Sequence, residues 1–90
     1  MTIWKFPIET TDYQYITAPE VNRPLCVQVQ HGEPCIWMLV DPASNRRRIR
    51  VRVFGTGHPG IESSMDYIGS YQLYGGALVF HVFFEPFNED

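Results

Sequence analysis

The chain has 90 residues, 44% hydrophobic and 14% aromatic, with 19% charged and a formal net charge of −3. That length supports a single globular domain, residues 1–90, with one modest core, and the ring-rich composition argues against disorder. The acidic balance argues against a general nucleic-acid binder, which needs a basic surface to displace counterions, and no apolar stretch reaches the length of a membrane-spanning helix.

The N-terminal segment MTIWKFPIETTD has no sustained apolar run of the signal-peptide kind, which leads us to expect a soluble cytoplasmic protein. Short apolar runs punctuated by seven prolines and seven glycines predict an all-β domain. The first strand is TIWKF (2–6), closed by Pro7, and the second is DYQYITA (12–18), closed by Pro19. A proline at the end suits both to sheet edges.

LCVQVQ (25–30) alternates strictly, and CIWMLV (35–40) follows it after HGEP. A hairpin centred on Gly32 and Glu33 would pair Val29 with Ile36, Val27 with Met38 and Leu25 with Val40, putting six apolar residues on one face. Cys26 then lies opposite Leu39 and Cys35 opposite Gln30, so both thiols are expected to be reduced. DPASN (41–45) reads as a turn.

RRRIRVRVF (46–54) places Ile49, Val51 and Val53 on a core face, with Arg48, Arg50, Arg52 and Phe54 on the other. GTGHPG (55–60) follows as a loop, and GIESSMDYIG allows at most one short helical turn near 61–66. YIGSYQLY (67–74) and ALVFHVFF (77–84) flank Gly75 and Gly76, which suit the positive φ of a primed two-residue turn. The pairing sets Leu73 against Leu78, Tyr71 against Phe80, Gly69 against Val82 and Tyr67 against Phe84. The second face, with Ile68, Ser70, Gln72 and Tyr74 opposite Phe83, His81, Val79 and Ala77, is mixed. Residues 85–90 form an acidic, solvated tail. The expected fold is a small antiparallel β-sandwich or open barrel of six or seven strands.

The blocks IWKFP, VQVQHGEPCIWMLVDP, FGTGHPG and YIGSYQLYGGALVFHVFF together resemble a family of small bacteriophage-encoded proteins of unknown function, over roughly residues 3–84. The resemblance implies a phage origin and action in the cytoplasm of the bacterial host. It supplies no catalytic residue, cofactor or reaction.

Five of the seven basic residues lie within residues 46–52. On a strand Arg48, Arg50 and Arg52 share a face about 7 Å apart, a spacing at which guanidinium forks could clamp phosphates or carboxylates. The bland reading is a wet strand face that keeps an edge from aggregating. Thr56, Gly57 and His58 in the adjoining loop could add donors to an anion site, or could simply make a turn. A second polar group, Ser70, Gln72, Tyr74 and His81, would lie together on the last hairpin, where His81 is either a pocket residue or a hydrogen-bonded strand histidine.

Histidines and cysteines are scattered without ligand spacing, so no metal or cofactor is expected. Nucleophile and carboxylate motifs are likewise missing, which argues against an enzyme without settling the matter. Two functions follow from these residues. In the first, the protein binds an anionic, nucleotide-like small molecule without catalysis, for instance a defence signal of the host. In the second, it is an interaction module docking on a host or phage protein. Trp4, Trp37, Leu39, Ile68 and Phe83 exceed what so small a core absorbs, which adds a homodimer as an expectation.

Overall fold

The computed structural model describes residues 1–85 and is all-β. Seven strands run in chain order: β1 (Thr2–Pro7), β2 (Tyr13–Ala18), β3 (Glu20–Gln30), β4 (Glu33–Asp41), β5 (Arg47–Gly55), β6 (Asp66–Leu73) and β7 (Leu78–Glu85). They form two antiparallel sheets, β1-β4-β3 and β2-β5-β7-β6, stacked as an open sandwich. β1 and β2 are edge strands, as their closing prolines suggested. β5 is internal, between β2 and β7, so its arginines do not guard an edge.

The core lies between the sheets. Ile36, Met38 and Val40 of β4 are fully buried and belong to one cluster with Val51 and Val53 of β5, Val82 of β7 and Tyr71 of β6. Every second residue of β4 and β5 therefore points inward, which is the strand period. Tyr71 is 4% exposed, and its phenol bonds the Thr10 hydroxyl at 2.9 Å. Burial pushes that phenol above its ordinary pKa, partly offset by Thr10. Gly69 lets the sheets approach, since a Cβ there would lie 3.3 Å from the Val27 side chain.

The register departs from the sequence expectation at two hairpins. The β3–β4 turn is His31–Gly32, with φ of 52° and 82°, so Val27 faces Ile36, Cys26 faces Trp37 and Cys35 faces Gln28. The primed two-residue turn wins over the HGEP centre because Gly32 takes its second positive-φ position. A shift of two residues preserves the buried face, and both thiols remain free. Leu25, however, sits at a register shift and is exposed, as is Val29 at the strand end. Asn22, Arg23 and Pro24 disguised the first half of β3, where an edge strand with two irregularities tolerates a proline.

On β6 a bulge at Ile68 switches faces: Tyr67 pairs with Phe83 instead of Phe84 and turns outward, while Ile68 packs against the core. The pairs from Gly69–Val82 to Leu73–Leu78 are as the sequence implied. Gly75 and Gly76 take φ of 67° and 95°, and Tyr74 itself adopts φ 54°, so a single 3-10 turn at Tyr74–Gly76 replaces the outermost pair. Residues 61–66 hold no helix, only a turn closed by the Met65 N–H on the Glu62 carbonyl at 3.0 Å. Trp4 faces inward and packs against the core. Glu85 belongs to β7 and is ion-paired, and the remainder of the expected acidic tail lies outside the described residues.

Candidate functional site

Strand periodicity puts Arg48, Arg50 and Arg52 of β5 on the outer face, directly opposite Thr17, Tyr15 and Tyr13 of β2. The result is an interleaved ladder. The Arg48 guanidinium lies 4.6 Å from the Tyr15 ring, Arg50 5.2 Å from Tyr13, and Arg52 5.1 Å from both Tyr13 and Phe54. Such contacts fix the guanidiniums at little entropic cost, because the rings are already held by the strand. Phe54 is buried despite its outward parity, edge-on to Phe83 at 5.9 Å, and Phe83 in turn meets Tyr67 at 5.4 Å.

Acidic groups pair with Arg50 and Arg52 of this ladder. Glu85 on β7 splits its two oxygens, taking Arg50 at 3.1 Å and Arg52 at 2.9 Å, and Asp12 takes Arg52 at 3.1 Å. Tyr13 and Tyr15 share a hydrogen bond of 3.0 Å, and Arg50 donates to the Tyr15 oxygen at 3.4 Å. Tyr13, bonded to Tyr15, has its pKa raised; that same bond, followed by Arg50, lowers the pKa of Tyr15. Tyr15 also holds the Arg50 guanidinium above its ordinary value, with Glu85 adding to it against the cost of burial.

An open cleft of about 450 Å³ lies at the end of the sandwich where the chain crosses from β2 to β3. Arg23 of β3 and Arg47, Arg48 and Arg50 of β5 line it, beside Glu20, Asp66 and Glu85. Four of the protein's seven basic residues therefore converge there, drawn from both sheets. Pro19, Val21, Pro24, Ile49 and Phe84 supply apolar wall. Arg23 and Arg47 are exposed and have no ion-pair partner among the described residues.

Thr56, Gly57 and His58 lie elsewhere. They follow the far end of β5, about 23 Å along the strand from Arg48 at 3.3 Å per residue, and none of them lines the cleft. Two of their backbone donors are engaged: the Thr56 N–H bonds the Val79 carbonyl at 3.2 Å, and the His58 N–H bonds the Gly55 carbonyl at 3.0 Å. Gly57, with φ 87°, supplies the left-handed position of that turn. The His58 ring folds over Gly55, where a Cβ would lie 3.1 Å from it.

The loop instead joins the second polar group, because the Thr56 hydroxyl meets His81 Nε2 at 2.7 Å. Ser70 pairs with His81 across the sheet, and Gln72 is two residues along. Tyr74 sits in the hairpin turn and is 80% exposed. The two sequence-derived groups are thus rearranged. Arg48 and Arg50 go with the cleft, Arg52 with the Asp12 and Glu85 clamp, and Thr56 with His81.

Arg23 and Arg47 are the residues that sequence reasoning missed. Arg47 falls outside the every-second-residue spacing that singled out Arg48, Arg50 and Arg52, and Arg46 beside it lies away, 5.1 Å from the Trp4 ring. Arg23 stood alone between Asn22 and Pro24, with no signal until the crossing at Pro19 set β3 over the start of β5. Among the described residues no group of three or more His, Cys, Asp or Glu could hold a metal ion, and no helix is long and apolar enough to cross a membrane.

No curated protein and no solved structure matches this chain. One family profile does, over residues 1–90, and it carries the description "Domain of unknown function (DUF7352)". The chain therefore belongs to that family of uncharacterised domains.

Proposed function

We propose that this is a bacteriophage protein that works in the host cytoplasm as a non-catalytic binder of an anionic, nucleotide-type small molecule, and that it thereby withdraws a host defence signal. The observation that carries the reading is the convergence of Arg23, Arg47, Arg48 and Arg50 on one open cleft of about 450 Å³ in a protein that is acidic as a whole. A cleft of that size falls within the range of small-ligand sites. The phage and host parts of the reading rest on the sequence blocks that resemble phage-encoded proteins.

The chemistry of the lining favours binding over turnover. Guanidinium groups remain charged throughout the physiological range, so they hold and orient an anion without exchanging protons with it. Arg23 and Arg47 are the primary clamp, because Arg50 already shares Glu85. Ile49, Val21 and Phe84 give a planar base an apolar wall, and Glu20 and Asp66 can accept hydrogen bonds from its amino or hydroxyl groups.

Isothermal titration of the purified protein against linear and cyclic nucleotides tests this. The reading predicts saturable binding of at least one of them, weakened by the paired substitution Arg23→Ala and Arg47→Ala. A flat response across the panel, together with an empty mass spectrum for protein taken straight from infected cells, would overturn it.

A further inference from the structure

Among the described residues the sandwich has four open edges, and they are not alike. β1 carries Lys5 and ends in Pro7. β3 carries Glu20, Arg23 and Pro24 and is broken by two register shifts. β6 begins at Asp66 and is bulged at Ile68. Charge, proline and bulges are the devices that keep an exposed strand from recruiting another.

β2 has none of them. Its six residues, Tyr-Gln-Tyr-Ile-Thr-Ala, carry no charge and no proline, and they pair with β5 without a register shift from Tyr13–Arg52 to Ala18–Arg47. β-branched and aromatic residues fill four of the six positions, the composition that best suits a pleated surface. Tyr13 and Tyr15 are 48% and 38% exposed on its outer face. A regular, uncharged edge that the other three strands avoid is an edge in use.

We propose that β2 is an interaction edge and that its occupant is a second copy of this chain, paired antiparallel, β2 to β2, about a two-fold axis at Tyr15. Directly opposed residues in an antiparallel pair share a face, so outward Tyr13, Tyr15 and Thr17 must meet outward residues of the other copy. Two registers overlap five residues under that condition. Centring on Ile16 carries Asp12 opposite Glu20 of the second copy, a like-charge conflict. Centring on Tyr15 sets Tyr13 against Thr17 and Asp12 against Ala18, with no charge opposing another.

The tyrosines of the two copies then lie side by side, and a column of Arg48, Arg50 and Arg52 flanks them on each outer side. A foreign strand would need the same uncharged stretch between acidic ends to fit as well. The surface is distinct from the basic cleft, and the proposal does not depend on a ligand there.

Sedimentation equilibrium on the full chain from about 5 to 500 µM reads the association, since a single strand pair makes a small interface and a weak dimer. The wild type is expected to pass from monomer to dimer over that range. Thr17→Lys, at an exposed position of β2, should stay monomeric at the highest concentration while circular dichroism is unchanged. In a Cys26→Ser background, mild oxidation should cross-link Tyr15→Cys to itself at least ten times more completely than Tyr13→Cys. A wild type that is monomeric throughout would overturn the proposal, and so would a dimer that survives Thr17→Lys or a cross-link favouring position 13.

Discussion

The two ends of β5 began as one basic and glycine-rich motif and fold into opposites. At the start of the strand, Arg47 and Arg48 open onto a cleft that Arg23 joins from the other sheet. At its end, the Thr56 and His58 N–H groups are spent on the Val79 and Gly55 carbonyls, and the Thr56 hydroxyl goes to His81. Both ends contain residue types that bind anions. What separates them is that the Thr56 and His58 donors are spent inside the protein, whereas Arg23 and Arg47 form no ion pair among the described residues; a hydrogen-bond donor already satisfied gains little from a ligand.

The largest effect that could break this contrast is the double substitution Arg23→Ala and Arg47→Ala. Removing two clamp residues should lower nucleotide affinity about 100-fold, on the scale of charge-assisted hydrogen bonds, as measured by titration calorimetry. Glu85→Gln comes next. It removes the carboxylate shared by Arg50 and Arg52, so thermal denaturation should show a melting temperature lower by about 5 °C, while affinity rises several-fold because Arg50 is released toward the cleft. Third is Gly57→Ala, where a side chain at φ 87° should cost about 1 kcal/mol in chemical denaturation and leave binding alone. The smallest effect belongs to Thr56→Ala combined with His58→Ala. Affinity should change less than about twofold; a tenfold loss would return the loop to the site.

Much of the fold was legible because strand period and turn chemistry agree. Seven strands stand where alternation and the Pro and Gly stops put them, save that β3 begins at Glu20, five residues before the alternating LCVQVQ run, and the Gly75–Gly76 turn set the last register as far as Gly69. What escaped was the register of two hairpins. The bulge at Ile68 exchanged the faces of Tyr67 and Ile68, and the tighter His31–Gly32 turn moved the neighbouring hairpin by two. A single inserted residue leaves no trace in composition, yet it reverses every side chain beyond it.

The candidate site was half legible. Arg48, Arg50 and Arg52 were assigned to one face from their spacing, and the structure places them there. Their consequences were not visible, since Glu85 reaches Arg50 and Arg52 from another strand 33 to 35 positions away. Arg23 joined the cleft only through the crossing from one sheet to the other, a long-range event that local pattern does not encode.

The central claim is that anions enter at the beginning of β5 and not at its end. Nitrogen-15 NMR resolves arginine Nε–Hε groups and backbone amides in one spectrum, so a single titration with a nucleoside monophosphate reads both ends together. Saturable shifts at Arg23, Arg47, Arg48 and Arg50, with the Thr56, Gly57 and His58 amides unmoved, are the predicted result. Shifts confined to the Gly55–Gly60 loop, or none at the four arginines at saturating ligand, would contradict the account.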